Sequence, residues 1–316
     1  MRKLYVAALL LCMTCILNTT FAQPNILNPN DPDVIFTSSN QPALPTWGVM
    51  SKWGHTNRLS WNPYSYGYKS YYFKGMAFRL KFPKTYQHNV ADGKTYPAIL
   101  FMHGLGEPGP VYDNEFHLVH GGQYHAEKVN DGTFDGFMIY PQSQAGYLQS
   151  YFPVMKDLMD SLVKYVKLDI DRVHVGGLSS GGQAVWDFAQ QQQYAKIACA
   201  LEPISAAQYE DVNYFASHIS IPVFVGNGGQ DVAPYPSTVT DIINSYKALG
   251  GDIIQGFYPD QGHGAWNSFW TDARYWPFVN AQHKANPLVY LRMARWTSHP
   301  NSRMPDKTET FWRGAG

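Results

Sequence analysis

The chain has 316 residues, with 24 basic and 24 acidic side chains and a formal net charge of zero. It therefore carries no field that would draw in a polyanion, and nucleic-acid binding is excluded as a function class. Only three cysteines are present, and two of them, Cys12 and Cys15, fall within the first 22 residues, so no disulfide framework is expected.

The chain begins Met1-Arg2-Lys3, continues through an apolar run from Leu4 to Leu17, and reaches Thr20-Phe21-Ala22 before Gln23. A basic start, a short apolar stretch and a small-x-small site read as a secretory leader over residues 1–22. The run is shorter than a membrane span needs, so no membrane insertion is expected after cleavage. A secreted or periplasmic protein is the expectation. Cleavage would remove Arg2 and Lys3 and no acid, which takes the net charge from zero to −2. Cys199 would then be the remaining cysteine; it lies in the apolar run Ile197–Leu201 and reads as a buried small hydrophobe.

Residues 23–46 are rich in Pro, Asn, Asp and Ser, as an extended lead-in would be. Residues 47–73 hold nine aromatics, from Trp47, Trp53 and Trp61 to Phe73. They suit either a platform that stacks ring-bearing substrates or a loop packed on the flank of the domain. We place a catalytic domain at residues 72–275, between an N-terminal extension at 23–71 and a C-terminal extension at 276–316 that packs on or trails the domain.

Met76–Phe82 alternates polar and apolar side chains, as a half-buried antiparallel strand does. Tyr96–Met102 is continuously apolar, the mark of a central strand buried on both faces. It leads into His103-Gly104-Leu105-Gly106-Glu107, followed by a helix or long loop to Gly122. Phe137–Tyr140 reads as a second buried strand. Residues 150–166 carry apolar side chains at helical spacing. Further strands are expected at 172–176, 196–201, 221–226 and 252–258. Helices are expected after Ser179, over Ser237–Leu249 and from Trp266 onward, with a short one at Tyr209–His218. Strands that alternate with helices over this length imply a mostly parallel sheet with helices on both faces.

Gly177-Leu178-Ser179-Ser180-Gly181 stands between a strand and a helix. In that context G-x-S-x-G forms a sharp turn that exposes the serine hydroxyl, and its glycines avoid clashes with the flanking strand and helix. A nucleophilic serine needs a base and a carboxylate that orients the base. Asp231 follows the strand at 221–226, and His263 follows the strand at 252–258. The order Ser179, Asp231, His263 is the one the α/β-hydrolase fold uses. Two N–H groups must also meet the developing oxyanion. The expected donors are Ser180, just after the nucleophile, and Leu105, in the loop after Tyr96–Met102. Glu107 is expected to hold that loop through hydrogen bonds. Glu202 competes with Asp231 for the role of acid. His117, His120 and His125 lie close in sequence, but no carboxylate arrangement accompanies them, so neither a metal nor a cofactor is expected.

These segments, with Asp113-Asn114, His120-Gly121, Tyr140-Pro141-Gln142, Asp171-Arg172-Val173 and Gly262-His263-Gly264-Ala265-Trp266, resemble the secreted phospholipase/carboxylesterase-like branch of the α/β hydrolases. That branch includes enzymes similar to feruloyl and acetylxylan esterases and to polyhydroxyalkanoate depolymerases. The resemblance covers about residues 72–275. It departs from the family at Pro108, where Arg is common, and at Ser180, where Met is common. It implies a carboxylic ester hydrolase that uses Ser179, Asp231 and His263. Export and the aromatic stretch favour an acetyl or feruloyl ester on a polysaccharide, with Trp186 and Trp266 expected to contact substrate. A polyester depolymerase, a prolyl-oligopeptidase-type peptidase and an inactive carbohydrate-binding protein are the alternatives.

Overall fold

The computed structural model describes residues 26–37, 39–54, 59–112, 115–207 and 218–284. The leader at 1–22, the Tyr209–His218 helix except for His218, Asp113-Asn114 and most of the C-terminal extension lie outside the described residues.

Nine strands form one sheet: β1 (Ser51–Lys52), β2 (Tyr68–Phe73), β3 (Met76–Lys81), β4 (Tyr96–Met102), β5 (Phe137–Gln142), β6 (Leu168–Leu178), β7 (Ala200–Ile204), β8 (Val223–Gly228) and β9 (Ile253–Tyr258). Their order is β1-β2-β3-β5-β4-β6-β7-β8-β9. β1, β2 and β3 pair antiparallel, as do β3 and β5, and every pairing from β5 to β9 is parallel. The described helices are α1 (Gly122–Asp131), α2 (Phe152–Tyr165), α3 (Ser180–Gln190), α4 (Gln192–Ala195), α5 (Pro236–Ala248), α6 (Trp266–Trp270) and α7 (Tyr275–Ala281). Among the described residues no helix is long and apolar enough to cross a membrane.

The period-two rule divides β4 between two cores. Ala98, Leu100 and Met102 face one core, which Met155 and Leu158 of α2, Val185 of α3 and Ile242 of α5 complete. Ile99 and Phe101 face the other, completed by Ala126 and Val129 of α1, Phe269 of α6 and Phe278 of α7. Burying each such Leu, Ile or Phe contributes about 1.5–3 kcal/mol relative to exposure. Helices on both faces leave β4, β5, β7 and β8 almost wholly buried, and Tyr96–Met102 accordingly reads as an unbroken apolar run.

Several boundaries differ from expectation. The sheet begins upstream of residue 72, because β2 already pairs with β3 from Tyr68 onward. An N-terminal extension ending at 71 therefore cuts through a strand. A domain ending at 275 likewise cuts through α7, whose Trp276, Phe278 and Val279 are buried. β3 is buried at every position rather than half-buried. The reason is Arg79, which lies fully buried and hydrogen-bonded to Glu115 and Ser70. Ile197 and Ala198, read as strand, form a buried turn after α4, and β7 starts only at Ala200. α1 falls in a stretch where no helix was expected, since it begins at a Gly-Gly pair and is mostly polar outside Ala126 and Val129.

The aromatic stretch at 47–73 is mostly absorbed in packing. Trp53, Tyr68, Tyr71, Tyr72 and Phe73 are buried. Trp53 Nε1 donates to the Val111 carbonyl (2.7 Å), and Tyr68 Oη donates to the Gly122 carbonyl (2.8 Å). Trp61 remains half-buried and Trp47 exposed.

Candidate active site

In an open α/β sheet the crevice opens at the carboxyl ends of the strands where the strand order reverses. Here β4 lies between β5 and β6, so the reversal is at β4/β6. His103-Gly104-Leu105 leaves β4 there and Ser179 leaves β6. The loops after β8 and β9 bring Asp231 and His263 to the same edge.

Ser179 has φ 53° and ψ −121°, a left-handed conformation that is costly for a residue with a side chain. Its surroundings hold it there. The Ser179 N–H donates to the Ile204 carbonyl (2.9 Å), and the Ser179 carbonyl accepts from Gln183 N–H (2.9 Å). Neither elbow glycine has room for a side chain. A Cβ on Gly177 would lie 2.6 Å from the Gly181 oxygen, and one on Gly181 would lie 2.1 Å from the Met102 oxygen.

Ser179 Oγ lies 2.9 Å from His263 Nε2. His263 Nδ1 lies 3.0 Å from Asp231 Oδ2 and 3.2 Å from Oδ1. Asp231 is buried, while the His263 side chain is 41% exposed, so the imidazole stays open to a substrate and its anchor does not. The Asp231 and His263 loops are locked together. Gln230 N–H donates to the Gln261 carbonyl (2.8 Å), and a Cβ on Gly228 would lie 2.2 Å from the Gly262 oxygen. Ser205, at the end of β7, adds a restraint that the sequence reading missed. Its Oγ donates to the His263 carbonyl (2.7 Å), and its φ is 48°. Its position at the carboxyl end of the strand next to β6 was the available signal.

The loop after β4 is also built in. Gly104 N–H donates to Glu107 Oε2 (3.1 Å), and Glu107 N–H donates back to the Gly104 carbonyl (3.3 Å). His103 Nε2 accepts from Ser143 N–H (3.1 Å), so its Nδ1 carries the proton that it shares with the Gly104 carbonyl (2.8 Å). Burial pushes His103 down to about 4, which keeps this strut neutral. A Cβ on Gly104 would lie 3.7 Å from the Ser179 Cβ, so the loop borders the nucleophile. Ser180 is the first residue of α3, where an N–H has no intrahelical acceptor.

Burial pushes Glu107 up to about 7, against the pull of the Gly104 N–H. The fold thus favours the protonated carboxyl, and this part of the stability is present below about pH 4.5 and lost as pH rises through about 7. Glu107→Gln keeps an acceptor for Gly104 without the charge. Its stability relative to the unsubstituted protein is expected to grow between pH 4.5 and 7 and then level off. Urea midpoints at pH 5 and pH 8 check this; equal differences at both would count against it.

Glu202 is not available as the acid. It is fully buried, with His174 Nδ1 at 2.7 Å and donation from Tyr275 Oη at 2.9 Å. Burial alone would lower His174, but Cys199 and Glu202 beside it raise it to about 10. Of the three histidines weighed as metal ligands, His117 and His125 are fully buried, and His125 Nδ1 is engaged by Tyr140 Oη. His120 instead lies over Trp266, ring centroids 4.8 Å apart. Trp266 in turn stands edge-on to His263 at 5.9 Å, so it does border the site.

Trp186 does not, and that expectation is corrected. It lies seven residues into the helix from Ser179, roughly 10 Å along its axis at 1.5 Å per residue. There it is fully buried, with its ring beside Tyr246 and His218.

No family model matches the sequence, and no curated protein matches it either. Solved structures do. A thermostable esterase aligns with a TM-score of 0.55 at 20% identity, over 66% of this chain and 59% of its own. The fold is the α/β-hydrolase fold. A ferulic acid esterase aligns with a TM-score of 0.49 at 20% identity, over 65% of this chain and 91% of its own. The Pyrococcus horikoshii acylaminoacyl peptidase aligns with a TM-score of 0.46 at 14% identity, over 66% of this chain and 40% of its own. This chain therefore spans about three fifths of the thermostable esterase and less of the peptidase.

Proposed function

We propose that this protein is a serine hydrolase of carboxylic esters, and that it acts outside the cytoplasm on acetyl or feruloyl groups carried by a polysaccharide. The hydrogen-bonded series Ser179 Oγ, His263 Nε2, Nδ1, Asp231 Oδ2 carries this reading. The Asp231 carboxylate accepts from Nδ1–H, which leaves Nε2 free to accept the Ser179 proton. Ser179 Oγ attacks the ester carbonyl carbon as its proton passes to Nε2. The Leu105 and Ser180 N–H groups receive the oxyanion; one such donor is worth about 10²–10³ in rate. The C–O bond to the alcohol breaks, and the proton on Nε2 leaves with the alcohol oxygen. Water then gives a proton to Nε2 as it attacks the acyl carbon, and the acyl C–Oγ bond breaks as Nε2 returns that proton to Ser179 Oγ, which frees the acid.

The leader expected over residues 1–22 and the near-neutral charge suit a substrate met outside the cell. The open His263 edge suits one too large to be enclosed. Purified protein assayed on p-nitrophenyl acetate, methyl ferulate, acetylated xylan and a prolyl peptide amide tests the reading. Release of acetate or ferulate from the carbohydrate and aryl esters is expected, with the peptide left intact. Peptide cleavage without ester turnover would overturn it. No labelling of the folded protein by a fluorophosphonate would point instead to a binding protein on this scaffold.

A further inference from the structure

A groove of about 360 Å³ is lined by Val119 and Gly121, which flank His120 in the chain, and by Asn267, which follows Trp266. Its other walls include Trp61, Tyr124, Gln123 and Glu127. We infer that this groove is the subsite for a sugar ring in the alcohol portion of the ester, an inference that rests on the ester-hydrolase reading above.

Its side of the site comes from the reaction. The leaving alcohol must take its proton from His263 Nε2, so the alcohol portion lies on the His263 side of the scissile bond. On that side Trp266 stands edge-on to His263, His120 covers Trp266, and the groove begins at the residues next to both. The acyl group points the other way and does not need it.

The ligand class comes from the lining. Half-buried Trp61 and Tyr124 line it with aromatic rings. Trp61 is braced edge-on by Tyr66 at 5.3 Å and packed against the start of α1, where a Cβ on Gly122 would lie 3.2 Å from its ring. Tyr124 is fixed by donating its hydroxyl proton to the Trp270 carbonyl (2.6 Å) and by stacking on Trp270. Gln123, Glu127 and Asn267 add amide and carboxylate groups beside these rings, and Gln123 Nε2 is oriented by Glu127 Oε1 (3.0 Å) and Tyr66 Oη (2.8 Å). Rigid aromatic rings edged by oriented hydrogen-bonding groups match a ring with C–H faces and equatorial hydroxyls. An acyl-chain tunnel would not place a carboxylate and two amides there, and Glu127 would repel an anion. The volume falls within the range of small-ligand sites.

The test compares Trp61→Ala, Asn267→Ala and Glu127→Gln with the unsubstituted protein on two substrates, p-nitrophenyl acetate and acetylated xylo-oligosaccharides. Asn267 and Glu127 are exposed, so those two variants report even if Trp61→Ala folds poorly. On p-nitrophenyl acetate, kcat/KM is expected to stay unchanged. On the oligosaccharides, KM is expected to rise about 10-fold for Trp61→Ala and about 3–10-fold for each polar variant. Unchanged KM on the oligosaccharides for the polar variants, or equal losses on both substrates, would overturn the subsite and leave the ester chemistry standing. If the unsubstituted protein turned over p-nitrophenyl acetate and no carbohydrate ester, and xylohexaose and arabinohexaose failed to bind the Ser179→Ala protein by calorimetry, the subsite and the polysaccharide reading would fall together.

Discussion

Replacing Ser179 with alanine is expected to lower kcat on any ester the protein cleaves by about 10⁶-fold, the loss typical when the nucleophile of a cooperating triad is removed. The single deleted atom is Oγ, the one that His263 Nε2 faces at 2.9 Å. Nothing else at the turn needs it. The φ of 53° is held by backbone bonds from Ser179 to Ile204 and Gln183 and by the space that Gly177 and Gly181 leave. Alanine carries the same Cβ, so the strain and the fold should be unchanged. Thermal midpoints of the two proteins should agree while turnover differs, and a fluorophosphonate should label the Ser179 peptide only in the unsubstituted protein. Residual turnover within tenfold of the starting value, with the label on another residue, would remove Ser179 from the chemistry.

Local chemistry decided how much of this site could be read from residue order. A buried parallel strand is a continuous apolar run, and the residue that matters stands just past its carboxyl end. β4 is such a run, and β8 and β9 begin with apolar residues and end in Gly-rich loops, so residue order alone points to His103-Gly104-Leu105, Asp231 and His263. Contacts between distant segments were harder. Trp186 was two turns too far along α3 to meet substrate, and only the position of α5, which brings Tyr246 against it, shows that it belongs to the core. Arg79 looked like the exposed side of a strand because its partner, Glu115, is 36 residues away. Glu202 looked like a candidate acid until His174 and Tyr275 were seen to occupy both its oxygens. Trp61 was one aromatic among nine; that it alone among Trp53, Trp61 and Tyr68 lines a groove follows from how β2 and α1 meet.

Gly181→Ala is expected to damage both stability and rate, although it adds a single methyl group. The new Cβ would lie 2.1 Å from the Met102 oxygen and 2.5 Å from the His103 oxygen, both backbone atoms at the end of β4. A flexible side chain could turn aside; these carbonyls cannot move freely, because Met102 is paired with Gly177 of β6 and the His103 side chain is pinned by Ser143 and Gly104. Either α3 lifts from the sheet or the loop carrying Leu105 moves away. The first costs packing, and overfilling a rigid site of this kind costs about 3 kcal/mol. The second displaces Leu105, the donor proposed for the oxyanion, relative to Ser179, and a shift of about 1 Å in such a group can cost about 10²-fold in rate. The same loop supplies its own control. A Cβ on Gly106 would meet nothing within 4 Å, and its φ is not in the left-handed range. Gly106→Ala should therefore leave the urea midpoint and kcat/KM near their starting values. If the two alanine variants behaved alike, the contact between the elbow and the end of β4 would not be what holds the donor loop against Ser179.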